Sequence, residues 1–170
     1  LAVGAILPNS KVLLRSEATK TNFMAESSQF SIIHLAVHGT FDPDKPLDSS
    51  LLLSGDKVSD GLLTSADLYR LSLHADLVVL SACETALGKV ASGDDVIGFT
   101  RGFLYAGAGS LISSLWQVDD QATHDLMVDF YSNRKTMPKD ESLRQAQIKV
   151  KQKYPHPFYW AAFLLTGNAL

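Results

Sequence analysis

Three short apolar runs, each rich in β-branched residues or serine, alternate along the chain with stretches of helical periodicity. They occupy residues 31–37, 76–81 and 110–115. Continuous apolar runs of this length are typical of strands buried on both faces, as in parallel sheets covered by helices. The connections between the runs are long enough for the right-handed crossovers that parallel strands require. The pattern therefore predicts an α/β fold with a mostly parallel sheet flanked by helices.

Weaker patterns predict the remaining elements. A short strand is expected at residues 11–14, and the leucines at 51–53 are expected to pair with those at 62–63 as a small hairpin. Thr64 and Asp67 resemble a capping box that opens a helix. Further helices are predicted at residues 18–27, from Asp94 onwards, at 121–131 and at 140–153. A loop at 84–93 leads to the helix at Asp94, and a final apolar segment spans 158–165.

Composition narrows the class of protein. The 170 residues suffice for one domain with a sizeable core, and the formal charge of -3 offers no broad basic surface for nucleic acid or an anionic membrane. No apolar run reaches the length of a membrane span. The single cysteine, Cys83, excludes an intramolecular disulfide and fits a reducing compartment, so we predict a cytoplasmic protein. The abrupt apolar start suggests a domain excised from a longer chain.

Two histidines lie four residues apart, His34 within the first apolar run and His38 directly after it. A zinc site is a weak interpretation because the run is strand-like, lacks the Glu of an H-E-x-x-H motif and has no second cysteine nearby. We interpret His34 as a core histidine that hydrogen-bonds a neighbour. His38 is followed directly by Gly39, which marks the end of the run as a break or tight turn.

His38 and Cys83 each follow a predicted buried strand. If these strands are parallel neighbours, their carboxyl ends meet at the sheet edge where open α/β folds bind ligands. An imidazole beside a thiol can take its proton, hold the thiolate and later protonate a leaving amine. The backbone N–H groups of Gly39 and Cys83 are candidate oxyanion donors. The spacing alone equally allows a buried, inert Cys83 and a turn residue at His38.

Other catalytic and cofactor motifs are absent or incomplete. The glycines at 107–109 follow a helix and enter a strand, which is the reverse of the dinucleotide-binding order. The Gly88-Lys89 pair lacks the rest of a phosphate loop, and no G-x-S-x-G elbow occurs. We therefore predict neither a cofactor nor a metal.

Six ordered blocks give the chain a specific resemblance. They are EATKTNF (17–23), IHLAVHG (33–39), VLSACET (79–85), GFTRGFLYAGA (98–108), SLWQVDD (114–120) and PFYWAAFLLTG (157–167). Together they resemble the CHAT domain, a caspase-like domain associated with tetratricopeptide repeats. The resemblance covers the chain from about residue 7 to residue 167.

That resemblance implies a caspase-like three-layer sandwich in which His38 is the general acid/base, Cys83 the nucleophile and Gly39 part of the oxyanion hole. Caspase-like folds usually carry an earlier strand and helix, so the chain is expected to lack the first strand. Residues 1–170 then form a single CHAT domain from the C-terminal part of a longer protein, whose upstream tetratricopeptide repeats control it.

The predicted function is that of a cysteine endopeptidase of the caspase and separase group, which cleaves a protein substrate. The alternative is a catalytically silent protein-interaction module that keeps the fold. By resemblance to an L-W-x-V-x-D stretch of separases, Asp119 and Asp120 are candidates for binding a basic substrate side chain. Two aspartates before a helical run are equally typical of a helix N-terminus.

Overall fold

A computed structural model describes residues 2–40, 42, 44–81, 83–84, 94–116 and 119–170, with only the backbone at 83–84 and 94–97. Its strands are β1 (Ile32–Leu35), β2 (His38–Thr40), β3 (Ser50–Leu52), β4 (Leu62–Thr64), β5 (Leu77–Leu80), β6 (Cys83–Glu84), β7 (Ser110–Ser114) and β8 (Phe163–Gly167). Its α-helices are α1 (Ala2–Ile6), α2 (Lys20–Glu26), α3 (Ser65–Leu68), α4 (Asp94–Tyr105), α5 (Asp120–Asn133) and α6 (Lys139–Lys153).

The strands form two sheets of four. The main sheet has the order β1-β5-β7-β8, in which the first three strands are parallel and β8 runs antiparallel to β7. The smaller sheet has the order β4-β3-β2-β6 and contains both the predicted hairpin and the predicted catalytic dyad, His38 and Cys83. The mostly parallel α/β sheet predicted from the apolar runs is confirmed.

Two apolar cores cover the two faces of the main sheet. Alternate residues of the buried strands divide between them, so that Val78 belongs to one core and Val79 to the other. On one face the sheet packs against residues of α3 and α4, with Phe99 and Phe103 fully covered. On the other face it packs against α5 and α6. Helices on both faces give the three-layer arrangement expected of a caspase-like fold.

Local sequence signals explain where α3 begins and how α4 packs. The Thr64 hydroxyl oxygen accepts a hydrogen bond from the Asp67 N–H (3.2 Å), and the Asp67 carboxylate accepts one from the Thr64 N–H (2.9 Å), which is the predicted capping box. On α4, a Cβ added at Gly102 would lie 2.9 Å from Leu68, whereas one added at Gly98 meets no described atom within 4 Å. Close packing therefore depends on Gly102.

Three expectations need correction. Residues 11–14 are extended but form no strand in the described part of the chain, because no ladder partner lies beside them. The first buried strand ends at Leu35, and after two residues the chain enters the smaller sheet as β2. The segment 158–165 begins as a 3₁₀ turn and becomes strand only at Phe163. Most of the predicted loop at 84–93 lies outside the described residues.

Over the part of the chain that the structure covers, no helix combines the length and the apolar character needed to cross a bilayer.

Candidate active site

The smaller sheet brings the backbones of His38 and Cys83 together. Strand β2 follows β1 after two residues and β6 follows β5 after two, so the parallel pairing of β1 with β5 is resumed by a parallel pairing of β2 with β6. In this second ladder His38 is the register partner of Cys83, and Gly39 that of Glu84. Neighbouring strands lie about 4.8 Å apart. The two residues are therefore adjacent across one ladder, at the carboxyl ends of β1 and β5.

The surroundings of His38 differ from those of its neighbour Gly39. The His38 side chain is exposed, whereas Gly39 is buried between β6 on one side and β3 on the other. On the β3 side, His38 is in register with Leu52. The Cys83 side chain lies outside the described part of the structure. The dyad therefore stays a prediction, supported by backbone placement.

His34 occupies a different environment from His38. Its Nδ1 lies 3.0 Å from the hydroxyl oxygen of Tyr131 on α5, whose side chain is fully buried. Burial lowers the pKa of His34 to about 4, so the ring is neutral and its Nδ1 can accept the Tyr131 O–H. Burial also raises the pKa of Tyr131. The prediction that His34 hydrogen-bonds a neighbour is confirmed, and the residue is half-buried rather than fully within the core.

No cluster of three or more metal-ligating side chains occurs among the described residues. One nitrogen of His34 is engaged by Tyr131, whereas the side chain of His38 is exposed. The two histidines therefore lie in different surroundings, and the described residues give the zinc interpretation no support.

Asp119 and Asp120 lie at the N-terminus of α5, which follows β7 and so begins near the same edge of the main sheet. Asp119 is the N-cap residue, and its Oδ1 accepts a hydrogen bond from the Ala122 N–H (2.9 Å). Asp120 is the first residue of the helix, and both aspartates are exposed. Capping explains the presence of Asp119. A role for either aspartate in binding substrate stays a prediction.

A hydrogen bond joins the segment after β7 to the segment before β8, and it was not predicted from the sequence. The Trp116 indole N–H donates a hydrogen bond to the carbonyl oxygen of Phe158 (3.0 Å). Both residues belong to blocks that carry the family resemblance. The bond gives one physical reason for a tryptophan in its block, namely to fix the end of β7 to the turn before β8. Residues 117 and 118 of the same block lie outside the described part.

An apolar groove of about 570 Å³ also escaped prediction. It lies between β1 on one side and residues 11–14 on the other, is bordered by α1 and α2, and reaches His38. We call it the edge groove, since β1 is the edge strand of the main sheet. The signal that could have revealed it is the apolar segment at 11–14, which was expected to pair with another strand.

Comparisons with known proteins agree with the resemblance seen in the sequence. The sequence model described as the CHAT domain matches residues 1–168. Human tetratricopeptide repeat protein 28 is 31% identical over 193 aligned positions, which include 92% of this chain but 8% of the human protein. The mouse protein of the same name is 30% identical over 192 positions, with the same coverage. The chain thus spans about 8% of the length of these curated relatives.

Proposed function

Because this chain belongs to the CHAT domain family, we propose that it is a cysteine endopeptidase of the caspase and separase group, with His38 and Cys83 as its catalytic dyad. The observation that supports the proposal most directly is the register pairing of His38 with Cys83 on the adjacent parallel strands β2 and β6. The exposed side chain of His38 also supports it, since a proton carrier has to reach the substrate.

In the proposed reaction, His38 takes the proton of the Cys83 thiol, and the thiolate attacks the carbonyl carbon of the scissile peptide bond. The C–N bond then breaks while the protonated His38 gives its proton to the leaving amine. The acyl group is left on the Cys83 sulfur as a thioester. Water, from which His38 takes a proton, attacks this thioester; the C–S bond breaks, the carboxylic acid leaves, and His38 returns the proton to the Cys83 sulfur. The backbone N–H groups of Gly39 and Cys83 are the proposed donors to the oxyanion that forms in each half.

For specificity we propose that the aspartates at the start of α5 favour a basic residue before the scissile bond. Asp119 already accepts a hydrogen bond as the helix cap, so Asp120 is the more available carboxylate for a Lys or Arg side chain. A peptide-library profile of the active protein, run beside Asp119→Ala and Asp120→Ala, tests this. An unchanged profile in both variants would leave the aspartates as helix-terminal residues only.

The wider setting is proposed from the relatives, whose names record tetratricopeptide repeats. We propose that residues 1–170 act as one CHAT domain within a longer cytoplasmic protein, and that upstream repeats bring a protein substrate to it. Proteolysis by the 170-residue chain alone is then expected to be weak, and stronger in the presence of the repeats.

The decisive experiment uses the fact that Cys83 is the only cysteine of the chain, so every thiol adduct reports on one atom. The rate of alkylation by iodoacetamide, followed by intact mass, is measured from pH 5 to pH 10. A free thiol has a pKa of about 8.5, and a neighbouring imidazole lowers it. We expect a midpoint near or below pH 7 in the parent and near 8.5 in His38→Ala. At pH 6.5 a parent midpoint of 7 corresponds to a thiolate fraction about 25 times lower in the variant, and a lower parent midpoint to a larger difference.

Matched variants separate the role of His38 from that of Gly39. His74→Ala removes an exposed histidine elsewhere and should leave the alkylation profile unchanged. Gly39→Val should leave alkylation nearly unchanged while abolishing peptide turnover, because the added side chain obstructs the proposed oxyanion donor. A parent profile centred at 8.5 that does not respond to His38→Ala would reject the dyad. The chain would then be the silent interaction module instead.

A further inference from the structure

Four residues form one row across the smaller sheet. In the ladder between β2 and β6, His38 is in register with Cys83. On its other side His38 is in register with Leu52 of β3, and Leu52 is in register with Leu62 of β4. Residues in register on neighbouring strands project their side chains from the same face of a sheet. His38, Leu52 and Leu62 therefore share one face, and Cys83 holds the last register position of the row.

This row lies on the outer face of the smaller sheet. The residues that alternate with the two leucines, Leu51 and Leu63, are fully buried in the apolar core on the inner face. In contrast, the side chain of His38 is exposed, Leu52 is half-buried and Leu62 is 39% exposed. Solvent therefore reaches the histidine and the two leucines from the same side of the sheet.

The polar side chains beside the row are engaged within the protein. Thr40, Ser50 and Thr64 lie two residues from members of the row and so project from the same face. The hydroxyl oxygens of Thr40 and Ser50 are hydrogen-bonded at 2.9 Å, and the Thr64 hydroxyl donates to the Asp67 carboxylate (2.7 Å). The surface that follows His38 directly in the row is apolar and consists of the two leucines, which we call the leucine surface.

The order of the row gives the leucine surface a direction relative to the proposed reaction. The protonated His38 gives its proton to the leaving amine, so the leaving part of the substrate lies on the His38 side of Cys83. The leucines lie further along that side. The candidate aspartates at the start of α5 lie on the other side, because α5 follows β7, which pairs with the edge of β5 that faces away from β1. The leucine surface therefore faces the residues after the scissile bond.

The strand spacing determines which substrate residues the leucines reach. Neighbouring strands lie about 4.8 Å apart, so Leu52 lies about 10 Å along the row from Cys83, and Leu62 about 14 Å. An extended peptide covers about 3.3 Å per residue. A substrate that crosses the row in this form has its third residue after the scissile bond beside Leu52 and its fourth beside Leu62.

We propose that Leu52 and Leu62 select an apolar side chain at the third or fourth residue after the scissile bond. Successive side chains of an extended chain point to opposite sides, so one of these two substrate residues faces the leucines. The leucines remove an apolar side chain from water and offer no partner to a charged one. The assignment to the leaving side rests on the proposed peptidase function, whereas the position of the leucines beside Cys83 does not.

A test that requires no turnover uses the single thiol of the chain. Alkylation of Cys83 by N-hexyl iodoacetamide is compared with alkylation by iodoacetamide at pH 9, where most of a free thiol is ionised without help from His38. In both reactions the thiolate displaces iodide from the CH₂ group, and only the first reagent carries an apolar chain. Dividing the ratio of the two rates by the same ratio for glutathione removes the intrinsic difference between the reagents. We expect this corrected ratio to be at least about ten, as burial of two CH₂ groups against the leucines predicts.

Matched leucine variants locate the hexyl chain. Leu62→Asp changes an exposed side chain, so the fold is retained, and it should lower the corrected ratio at least about fivefold. Leu52→Ala should also lower the ratio. Leu164→Asp places the same charge on another exposed strand leucine, at the far edge of the main sheet, and should leave the ratio unchanged. Both reagents react with the same thiolate, so a variant that alters only the pKa of the thiol does not change the ratio.

Cleavage by the active protein tests the assignment to the leaving side. A peptide library varied at the third and fourth residues after the scissile bond should favour Leu, Ile and Phe at one of these positions. Leu62→Asp should lose that preference and Leu164→Asp should keep it. A parent profile without an apolar preference at either position would overturn the assignment.

The alkylation results can overturn the leucine surface itself. A corrected ratio near one in the parent, or a ratio that Leu62→Asp leaves unchanged, would do so. Leu52 lines the edge groove and Leu62 does not, so a ratio lowered only by Leu52→Ala would place the hexyl chain in that groove instead. If the pH profile of alkylation rejects the dyad while the ratio still depends on both leucines, the peptidase function and its leaving side fail, and the apolar surface beside Cys83 stands.

Discussion

Acidification from pH 7.5 to pH 5 should destabilise the fold through one residue, His34. The pKa of His34 is about 4 in the folded protein and about 6.5 in an unfolded chain, so the folded state favours the neutral ring. The stability that this difference provides is complete above about pH 6.5. It is lost progressively as the pH falls towards 4, because His34 becomes protonated in the unfolded chain while it stays neutral in the folded protein.

The two pKa values of His34 determine how much the free energy of unfolding falls on acidification. The full difference of about 2.5 pH units corresponds to about 3.4 kcal/mol below pH 4, and linkage gives about 2 kcal/mol at pH 5. The His34 side chain borders the edge groove and is only partly buried, so water reduces the penalty. We therefore expect a loss of about 1 to 2 kcal/mol in the free energy of unfolding between pH 7.5 and pH 5.

Urea denaturation at pH 7.5, 6.5, 5.5 and 5.0, followed by tryptophan fluorescence, measures this loss. His34→Gln keeps a polar side chain beside Tyr131 without titrating in this range, so its stability should vary less with pH by the same 1 to 2 kcal/mol. His74→Gln, at an exposed site, should follow the parent. Asp125 and Glu141, with pKa values of about 2 in the folded protein, add pH dependence mainly below pH 5, and they add it equally in the parent and in His34→Gln. Equal pH dependence in the parent and His34→Gln would refute the reasoning.

Two further predictions concern stability. Asp76→Ala should cost about 2 to 3 kcal/mol, since it leaves the fully buried ammonium of Lys139 without the half-exposed carboxylate that lies 2.6 Å from it. Lys139→Met in the same background should recover part of that loss in chemical denaturation, and a further loss instead would contradict the ion-pair explanation. Gly107→Ala should cost about 2 to 3 kcal/mol, because φ is +107° and the new Cβ would lie 2.3 Å from the Leu73 carbonyl oxygen. Gly98→Ala, on α4 with no atom of the described residues within 4 Å of the new Cβ, should instead raise the thermal midpoint, and equal effects of the two glycine changes would refute the steric argument.

Features with a local cause were predictable from the sequence. The buried strand β5 follows from an unbroken apolar run, LVVL, because both of its faces are covered by helices. In β7 two apolar residues lie among small serines, and all five residues are buried. The capping box at Thr64 depends on atoms three residues apart, so its signature lies in the sequence itself. The pairing of β3 with β4 follows from two leucine clusters close in the chain.

Features that depend on residues far apart in the chain were not predictable from the sequence. The hydrogen bond from Tyr131 to His34 joins residues 97 positions apart, and nothing near either of them in the sequence specifies the other. The strand expected at residues 11–14 failed for the same reason, since an extended apolar segment becomes a strand only if a partner lies beside it. For the candidate site, the sequence predicted adjacency of the His38 and Cys83 chain segments. It could not predict that a second sheet, of strands only two and three residues long here, would carry them.

The way β1 and β5 continue into β2 and β6 has a consequence for how the candidate site can respond to a partner. Only two residues connect each main-sheet strand to its successor, while His38 and Cys83 share one ladder of the smaller sheet. A tilt of the smaller sheet about these two short connections would therefore move both residues together. Such a motion would change the angle at which His38 and Cys83 meet a substrate, and it would leave the distance between these two residues nearly constant.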